Sequence, residues 1–293
     1  MKKIIVIGSI SIDNVTYTSI LPTPGTTVYG ESFLSNIGGK GANQACAISF
    51  LGGDVEFYGA IGDDDNGKTV LNFIKNAGLT AFLKISKQQT GIASITIETT
   101  TAENRIVIVP GANLDLNKAD IDQIDFSDKD ILLIQLENDL DGVIYAMKKA
   151  KENGLLVVLN PAPYHEIPES SYQYIDFFIP NEHELEQFTP DVDGDYLTKA
   201  KSLVNKGIKH VIVTLGEKGS LYVDKEKHIE IEPYKVNAVD TTAAGDSYCG
   251  AFVYALSNNM SVIDAMHFAS KASSITVTRK GAIASLPHLS NIK

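Results

Sequence analysis

Apolar and polar positions along the chain follow two rhythms. Residues 131–136, 155–159, 175–179 and 211–215 are nearly unbroken apolar runs rich in Ile, Leu and Val and bounded by Gly, Pro or Asn. Strands covered on both faces read this way. Residues 66–76, 140–153 and 195–206 instead space their apolar side chains as one face of a helix does. Alternation of the two predicts a doubly wound α/β fold with a mostly parallel sheet. The opening run Ile4-Ile5-Val6-Ile7 follows Met1-Lys2-Lys3 as in a signal peptide, but it stops at Gly8-Ser9 and no small-residue cleavage site precedes Asp13. It reads as the first strand.

Two segments leave this pattern. Residues 11–36 and 91–109 have strand-like alternation, the second with a turn around Ala102-Glu103-Asn104 that closes a hairpin. They are expected to form a small antiparallel β sheet outside the core, placed as a lid over a cleft or as a dimer surface. No internal repeat or Pro/Ser-rich linker divides the chain, so residues 1–293 read as a single domain carrying that lid.

Charge narrows the partners. Lys and Arg total 25 against 36 Asp and Glu, a formal net charge of −11. A nucleic-acid partner or an anionic membrane needs a positive surface field, so neither is expected. No stretch approaches the roughly 18–20 apolar residues of a membrane span. The two cysteines, Cys46 and Cys249, cannot build a disulfide framework or a four-sulfur zinc site, which fits a reducing cytoplasm.

Some motifs mislead. Gly62-Asp63-Asp64-Asp65-Asn66-Gly67-Lys68-Thr69 matches the phosphate-loop pattern, yet its adjacent carboxylates would repel a triphosphate; it reads as a solvated acidic turn opening a helix. Asp191-Val192-Asp193-Gly194-Asp195 resembles the start of a calcium loop, but its glycine comes too early and Ser202 stands where the last ligand should be Glu. The six histidines lack zinc spacing.

Two motifs carry chemistry. Asp240-Thr241-Thr242-Ala243-Ala244-Gly245-Asp246 opens a helical stretch over residues 248–257. Ala243, Ala244 and Gly245 have no side chains to shield unpaired N–H groups, so donors and the positive end of the helix dipole form an anion hole. Asp246 in that first turn would stay ionised and accept a proton from a hydroxyl docked beside the anion. The plain alternative is a helix cap, with Thr241 or Thr242 satisfying the orphan donors. The second motif, Gly38-Gly39-Lys40-Gly41-Ala42-Asn43, opens a helix over residues 42–51. Its glycines would let backbone approach a ligand, Lys40 brings a cation, and Asn43 can donate to and accept from a sugar hydroxyl. A tight strand-to-helix connection would look the same.

Together and in this order, these motifs resemble the ribokinase group of the PfkB-type carbohydrate kinases. Gln135-Leu136-Glu137, Leu159-Asn160-Pro161-Ala162-Pro163, Pro180-Asn181-Glu182-His183-Glu184 and Thr214-Leu215-Gly216-Glu217-Lys218-Gly219 are similar to segments of that group in the expected sequence, so the resemblance covers nearly the whole chain.

The resemblance implies a ribokinase-like fold and ATP-dependent phosphorylation of a pentose, D-ribose first, with Asp246 as base and the backbone of Ala243, Ala244 and Gly245 around the transferring phosphoryl group. It implies that Ser11, Asp13, Gly39, Lys40, Asn43 and Glu137 hold the sugar, and that Asn181, Thr214, Gly216, Gly219, Gly245 and Ser270 bind ATP, with Glu184 near Mg2+. It further implies K+ as an activator caged by Asp240, Thr242, Thr276, Arg279, Gly281 and Ser285, and a homodimer formed through the β lid. An Arg279–Asp240 ion pair would close the same loop without a metal. Ser11 stands where the group usually has Asn, and Leu114 where it usually has Ala, which leaves deoxyribose, another sugar or a nucleoside as alternative substrates. A non-catalytic sensor on the same fold would be expected to lack Asp246 or the anion hole.

Overall fold

The computed structural model describes residues 1–101 and 103–292. From the N-terminus the elements are β1 (Ile4–Ile7), β2 (Ser11–Thr18), β3 (Ser32–Gly38), α1 (Lys40–Phe50), β4 (Val55–Gly62), α2 (Asp65–Ala77), β5 (Thr80–Ser86), β6 (Gly91–Glu98), β7 (Asn104–Val109) and α3 (Lys118–Ile121). They continue as β8 (Ile131–Ile134), α4 (Leu140–Glu152), β9 (Leu156–Leu159), β10 (Phe177–Phe178), α5 (Glu182–Phe188), α6 (Tyr196–Asn205), β11 (His210–Thr214), β12 (Ser220–Val223), β13 (His228–Ile231), α7 (Ala244–Ser257), α8 (Val262–Thr276) and α9 (Leu289–Ile292).

The large sheet has nine strands in the order β13-β12-β11-β10-β9-β8-β1-β4-β5. It is parallel from β11 to β5, and β12 and β13 fold back antiparallel at one edge. Alternation along β1 shows how the apolar runs are used: Ile4 and Val6 join the cluster packed by α1, α7 and α8, while Ile5 and Ile7 join the one packed by α4 and α6. Burying such a side chain contributes about 1.5–3 kcal/mol, so a strand with no polar face is stable only between two helical layers. Of the expected strands, 175–179 pairs only at Phe177 and Phe178, and 131–136 ends at Ile134, so Gln135 and Glu137 project beyond the sheet.

The chain leaves β1 towards β4 on one side, and β8 lies on the other. Strand order therefore reverses at β1, which opens a crevice beyond the carboxyl ends of β1 and β8.

The second sheet has the order β3-β2-β6-β7. The antiparallel expectation holds within each pair, β2 with β3 and β6 with β7. The pairs are joined through a parallel β2–β6 seam, Ser11 opposite Gly91 through Thr18 opposite Glu98. This follows because β2 and β6 both leave the large sheet in the same direction, after β1 and β5. Of the expected turn, Ala102 lies outside the described residues, while Glu98 N–H donates to Glu103 O at 2.8 Å just inside it.

Helix starts divide into two kinds. Asp64, Asp139, Asp195 and Ser261 cap α2, α4, α6 and α8, each accepting a first-turn N–H. Helices α1 and α7 begin on Gly39 and Ala243 with no side-chain cap. Asp64 also disposes of the phosphate-loop reading. Its carboxylate accepts from the Gly67 and Thr90 amides and the Thr90 hydroxyl, at 2.7, 2.8 and 2.7 Å, so a fixed anion of the protein already stands at the start of α2, where a phosphate would have to bind. Asp195, from the calcium-like stretch, is simply the cap of α6.

Candidate active site

Helices α1 and α7 start at the crevice mouth and lie against one another. A Cβ on Gly250 of α7 would sit 2.6 Å from the Ala47 Cβ of α1, closer than carbon atoms pack. The contact brings Asp246 onto the first turn of α1. Asn43 Nδ2 donates to Asp246 Oδ2 at 2.8 Å and Gln44 Nε2 to Oδ1 at 2.9 Å. The carboxylate is 7% exposed, and each oxygen keeps lone-pair capacity for a hydroxyl proton.

The start of α7 is an open donor site. Ala243 is left-handed at φ 59, ψ 14, which costs an L residue about 1–3 kcal/mol. Neither Thr241 nor Thr242 caps the helix, so the plain alternative for this motif is not what forms. Thr242 is turned away, its amide donating to Asp240 Oδ1 at 2.9 Å. One expected member of the anion hole is compromised: Ala244 N–H donates to Thr241 O at 3.2 Å, while the amides of Ala243, Gly245 and Asp246 have no acceptor among the described residues.

The glycine motif works differently from expectation. Gly39 has φ 93, and a Cβ there would lie 2.7 Å from Ile10 Cα; on Gly41 it would lie 2.6 Å from Gly8. The space is filled by the protein's own backbone after β1 rather than by a ligand. The α1 amides are occupied too: Lys40 N–H donates to Glu137 Oε2 at 3.0 Å and Ala42 N–H to Ser9 O at 2.9 Å. Ser9 Oγ makes a short hydrogen bond to the same Glu137 oxygen. Glu137 thus occupies the dipole of α1 as an internal anion.

Around this frame stand the other expected sugar ligands. Ser11 Oγ donates to Asp13 Oδ1 at 2.9 Å, so its hydroxyl proton is already used. Burial pushes the Asp13 carboxyl above its ordinary range; the Ser11 hydrogen bond opposes this, and the Glu137 charge adds to it. Burial would lower the half-buried Lys40 ammonium, but the charges of Asp246, Glu137 and Glu184 outweigh it and hold the group above its usual value. Asn43 Oδ1 is buried with no partner among the described residues. An unsatisfied buried acceptor costs about 1–3 kcal/mol, and a substrate hydroxyl would satisfy it.

The expected nucleotide residues line the strand ends further along the sheet. Asn181 and Glu184 form a reciprocal capping box on α5, at 2.8 Å each way. Glu184 keeps Oε1 outside that box, and burial raises its carboxyl above the ordinary range. Glu182 accepts from Tyr196 Oη and Lys218 Nζ, at 3.0 and 3.2 Å. Thr214 ends β11 and bridges to Asn181, and Gly216 and Gly219 follow with φ 55 and 93. Ser270 lies on α8 beside the buried Tyr248.

At the expected potassium cage, Asp240 Oδ2 accepts from Gly281 N–H at 2.9 Å. Burial pushes the Asp240 carboxyl up, but hydrogen bonds from Thr242 and Gly281 outweigh it and hold it below the ordinary range. The Arg279–Asp240 ion pair does not form; Arg279 Nη1 reaches Ser285 O at 3.5 Å. The hydroxyls of Thr276 and Ser285 donate to Ser247 Oγ and Ala282 O, at 2.8 and 2.7 Å, which leaves the lone pairs of both oxygens for an ion.

Sequence reasoning missed Ser9, and it quoted Gln135 and Asn160 without giving them a role. Gln44 carries no motif that would set it apart from its helix. The available signal was polar residues placed directly after buried strands, Ile134-Gln135 and Leu159-Asn160.

The family profile described as pfkB family carbohydrate kinase matches residues 1–289. A ribokinase of Haemophilus influenzae is 40% identical over 293 residues, covering 98% of this chain and 95% of that protein. A deoxyribokinase of Salmonella typhimurium is 36% identical over 294 residues, covering 98% of this chain and 96% of its own. The Arabidopsis thaliana ribokinase structure complexed with ribose and ATP superposes with a TM-score of 0.90 at 29% identity, covering 99% of this chain and 97% of that one.

The raised Asp13 carboxyl generates a stability test. An acid whose folded pKa exceeds its unfolded value destabilises the fold once the pH passes the unfolded value, and the cost is complete above the folded one. Asp13→Asn should therefore raise the melting temperature at pH 7.5 while weakening sugar binding. The gain should shrink towards roughly pH 4, where the unfolded carboxyl is itself half protonated. Calorimetry at both pH values checks this; an equal gain at both would show that charge burial is not its source.

Proposed function

The chain belongs to the pfkB family of carbohydrate kinases, and on that premise we propose that it transfers the γ-phosphoryl group of ATP to the primary hydroxyl of D-ribose, giving ribose 5-phosphate and ADP. The observation that carries this reading is Asp246, a buried carboxylate held by two amides at the mouth of an uncapped helix. Asp246 takes the hydroxyl proton, the hydroxyl oxygen bonds to the γ-phosphorus, and the bond from that phosphorus to the bridging oxygen breaks as ADP leaves. The Gly245 and Asp246 amides and the α7 dipole stabilise charge on the transferring group. Asp13, Glu137 and the unpartnered Asn43 Oδ1 present acceptors to the sugar's row of hydroxyls, with Gly39 setting the backbone beneath them and Lys40 between sugar and phosphate.

Asn181, Thr214, Gly216, Gly219, Gly245 and Ser270 form the ATP side in this reading. Magnesium would stand between the nucleotide phosphates and Glu184, neutralising polyphosphate charge. Among the described residues there is no cluster of three or more His, Cys, Asp or Glu side chains able to hold a metal, which suits an ion carried chiefly by phosphate oxygens.

A second reading, deoxyribose, is favoured by Ser11: its hydroxyl proton is spent on Asp13, and one relative is a deoxyribokinase. The sheet of β2, β3, β6 and β7 would act as the lid, as the second part of one functional domain. We place the reaction in the cytoplasm, since Cys46 and Cys249 are both free thiols, and cell fractionation checks that placement.

The central test is Asp246→Asn, which keeps shape but cannot accept the proton. Turnover should fall at least about a hundredfold while ATP still binds. Near-normal turnover in the folded variant would remove Asp246 as the base. Assaying wild type on a panel of pentoses, deoxypentoses, hexoses and nucleosides separates the sugars; a deoxyribose efficiency above that of ribose would replace the first reading by the second.

Potassium is proposed to bind Asp240, Thr242, Thr276 and Ser285 together with the backbone carbonyls of Arg279 and Gly281, fixing how the α7 amides face the phosphate. The Asp240 carboxylate is ionised, lacks an ion pair to Arg279 and still has lone pairs, so it suits a cation. Rates should rise with potassium at constant ionic strength, far less with sodium, and Asp240→Ala should abolish the difference. Equal rates in potassium, sodium and a large organic cation would remove the ion from the scheme.

A homodimer through the lid is supported by one apolar face of that sheet, where Leu34, Ile106 and Ile108 are 49, 51 and 53% exposed, and by the free edges of β3 and β7. Light scattering should return twice the chain mass; monomer alone at working concentration would exclude the arrangement.

A further inference from the structure

Behind Asp246 lies a chain of side-chain amides that the phosphoryl-transfer scheme does not use. Gln44 and Gln135 are fully buried, and Asn160 is 8% exposed. Gln135 Nε2 donates to Gln44 Oε1 at 2.6 Å. Gln44 Nε2 then donates both its protons, to Asp246 Oδ1 at 2.9 Å and to Asn160 Oδ1 at 3.0 Å. Asn160 Nδ2 donates in turn to the Ile179 carbonyl at 2.9 Å, so its oxygen must face Gln44.

This order fixes the Gln44 amide from both ends. Turned over, its oxygen would face the Asp246 carboxylate and the Asn160 oxygen, and its NH2 group would face the Gln135 NH2 group. None of those contacts is a hydrogen bond. Gly8 makes room for this arrangement, because a Cβ there would overlap the end of the Gln135 side chain. Gln135 Oε1 is left buried without a partner among the described residues, a cost of the kind retained where a group is held for a purpose.

We propose that Gln44 is a positioning residue for Asp246, oriented by Gln135 and Asn160, and that it sets the direction of the Asp246 lone pair that receives the sugar proton. The proposal rests on Asp246 being the base. Asn43 grips the other oxygen from the adjacent position, and the sugar pocket as read here does not include Gln44. Losing Gln44 should therefore misdirect the base while leaving substrate binding nearly intact.

The variants are Gln44→Met, which keeps length without polarity, Gln44→Glu, which turns an acceptor towards Asp246, Gln135→Met, and the double Gln44→Met/Gln135→Met, each measured beside Asp246→Asn. Per active site counted by single-turnover burst, Gln44→Met should lower kcat by about ten- to a hundredfold, with the KM values for sugar and ATP within about threefold of wild type. Gln44→Glu should be worse. Gln135→Met should show a smaller loss, and the double variant should be no slower than Gln44→Met, because Gln135 acts only through Gln44. A packing role alone would lower melting temperature and active fraction and leave kcat per active site unchanged; that result, or additive losses in the double variant, overturns the proposal. Normal turnover by Asp246→Asn would instead overturn the base assignment, whatever the Gln44 variants do. Should Gln44→Met fail to fold, Gln135→Met and Gln44→Glu carry the same comparison.

Discussion

A carboxylate that belongs to the first turn of one helix and is held by the first turn of another is the constraint on which the site depends. Asp246 and its partner Asn43 are 203 residues apart in the chain, and they meet only because Gly250 lets α7 press against α1. Burying an ionised carboxylate without a directly bonded cation is costly unless charged-group hydrogen bonds replace water, at about 1.5–3 kcal/mol each. Asn43 and Gln44 supply them as neutral donors. A lysine in their place would bind the charge more strongly and compete with the proton that the base must receive.

The uncapped starts of α1 and α7 then divide the labour. At α1 the dipole is met by Glu137, a carboxylate of the protein itself, together with Ser9. At α7 no side chain takes that place. The α1 side accordingly presents acceptors, which suit a polyhydroxyl substrate, and the α7 side presents donors, which suit phosphate. Lys40 lies between them, within the fields of Asp246, Glu137 and Glu184. One ammonium among three carboxylates gives the site a negative field, which suits the proposed entry of polyphosphate together with cations of its own.

Much of this was legible in the sequence because it is local. The buried parallel strands, the helices between them and the extra sheet follow from hydrophobic period, and Asp246 with its small neighbours reads as a helix start. What escaped was non-local. Gly39 and Gly41 looked like space for a ligand, but Ile10 and Gly8 fill that space, and no sequence rule names the backbone that comes opposite. Gln44 reads as one more helical residue because its importance lies in the order of donors and acceptors through Gln135 and Asn160, from strands that follow it by some hundred residues. The parallel seam of the small sheet was likewise set by where β2 and β6 leave the core, not by their own alternation.

Thr242 shows why the open helix start is a built feature. A Thr at the start of α7 would cap it, and a cap is worth about 1 kcal/mol. The sequence places Thr242 one residue too early, with its amide bonded to Asp240, and gives the position itself to Ala243 in a left-handed conformation that Gly or Asn adopts more readily. Local preference is thus set aside twice at neighbouring residues. Both departures have the same effect, which is to leave the Gly245 and Asp246 amides without a protein acceptor. Asp240 keeps Thr242 away from the helix, and its other oxygen ties this loop to Gly281. The carboxylate at the proposed cation cage is therefore also the group that keeps the anion hole uncapped. A cation at the proposed cage would therefore act on the α7 amides through Asp240 and the Thr242 backbone, with no need to touch the substrate.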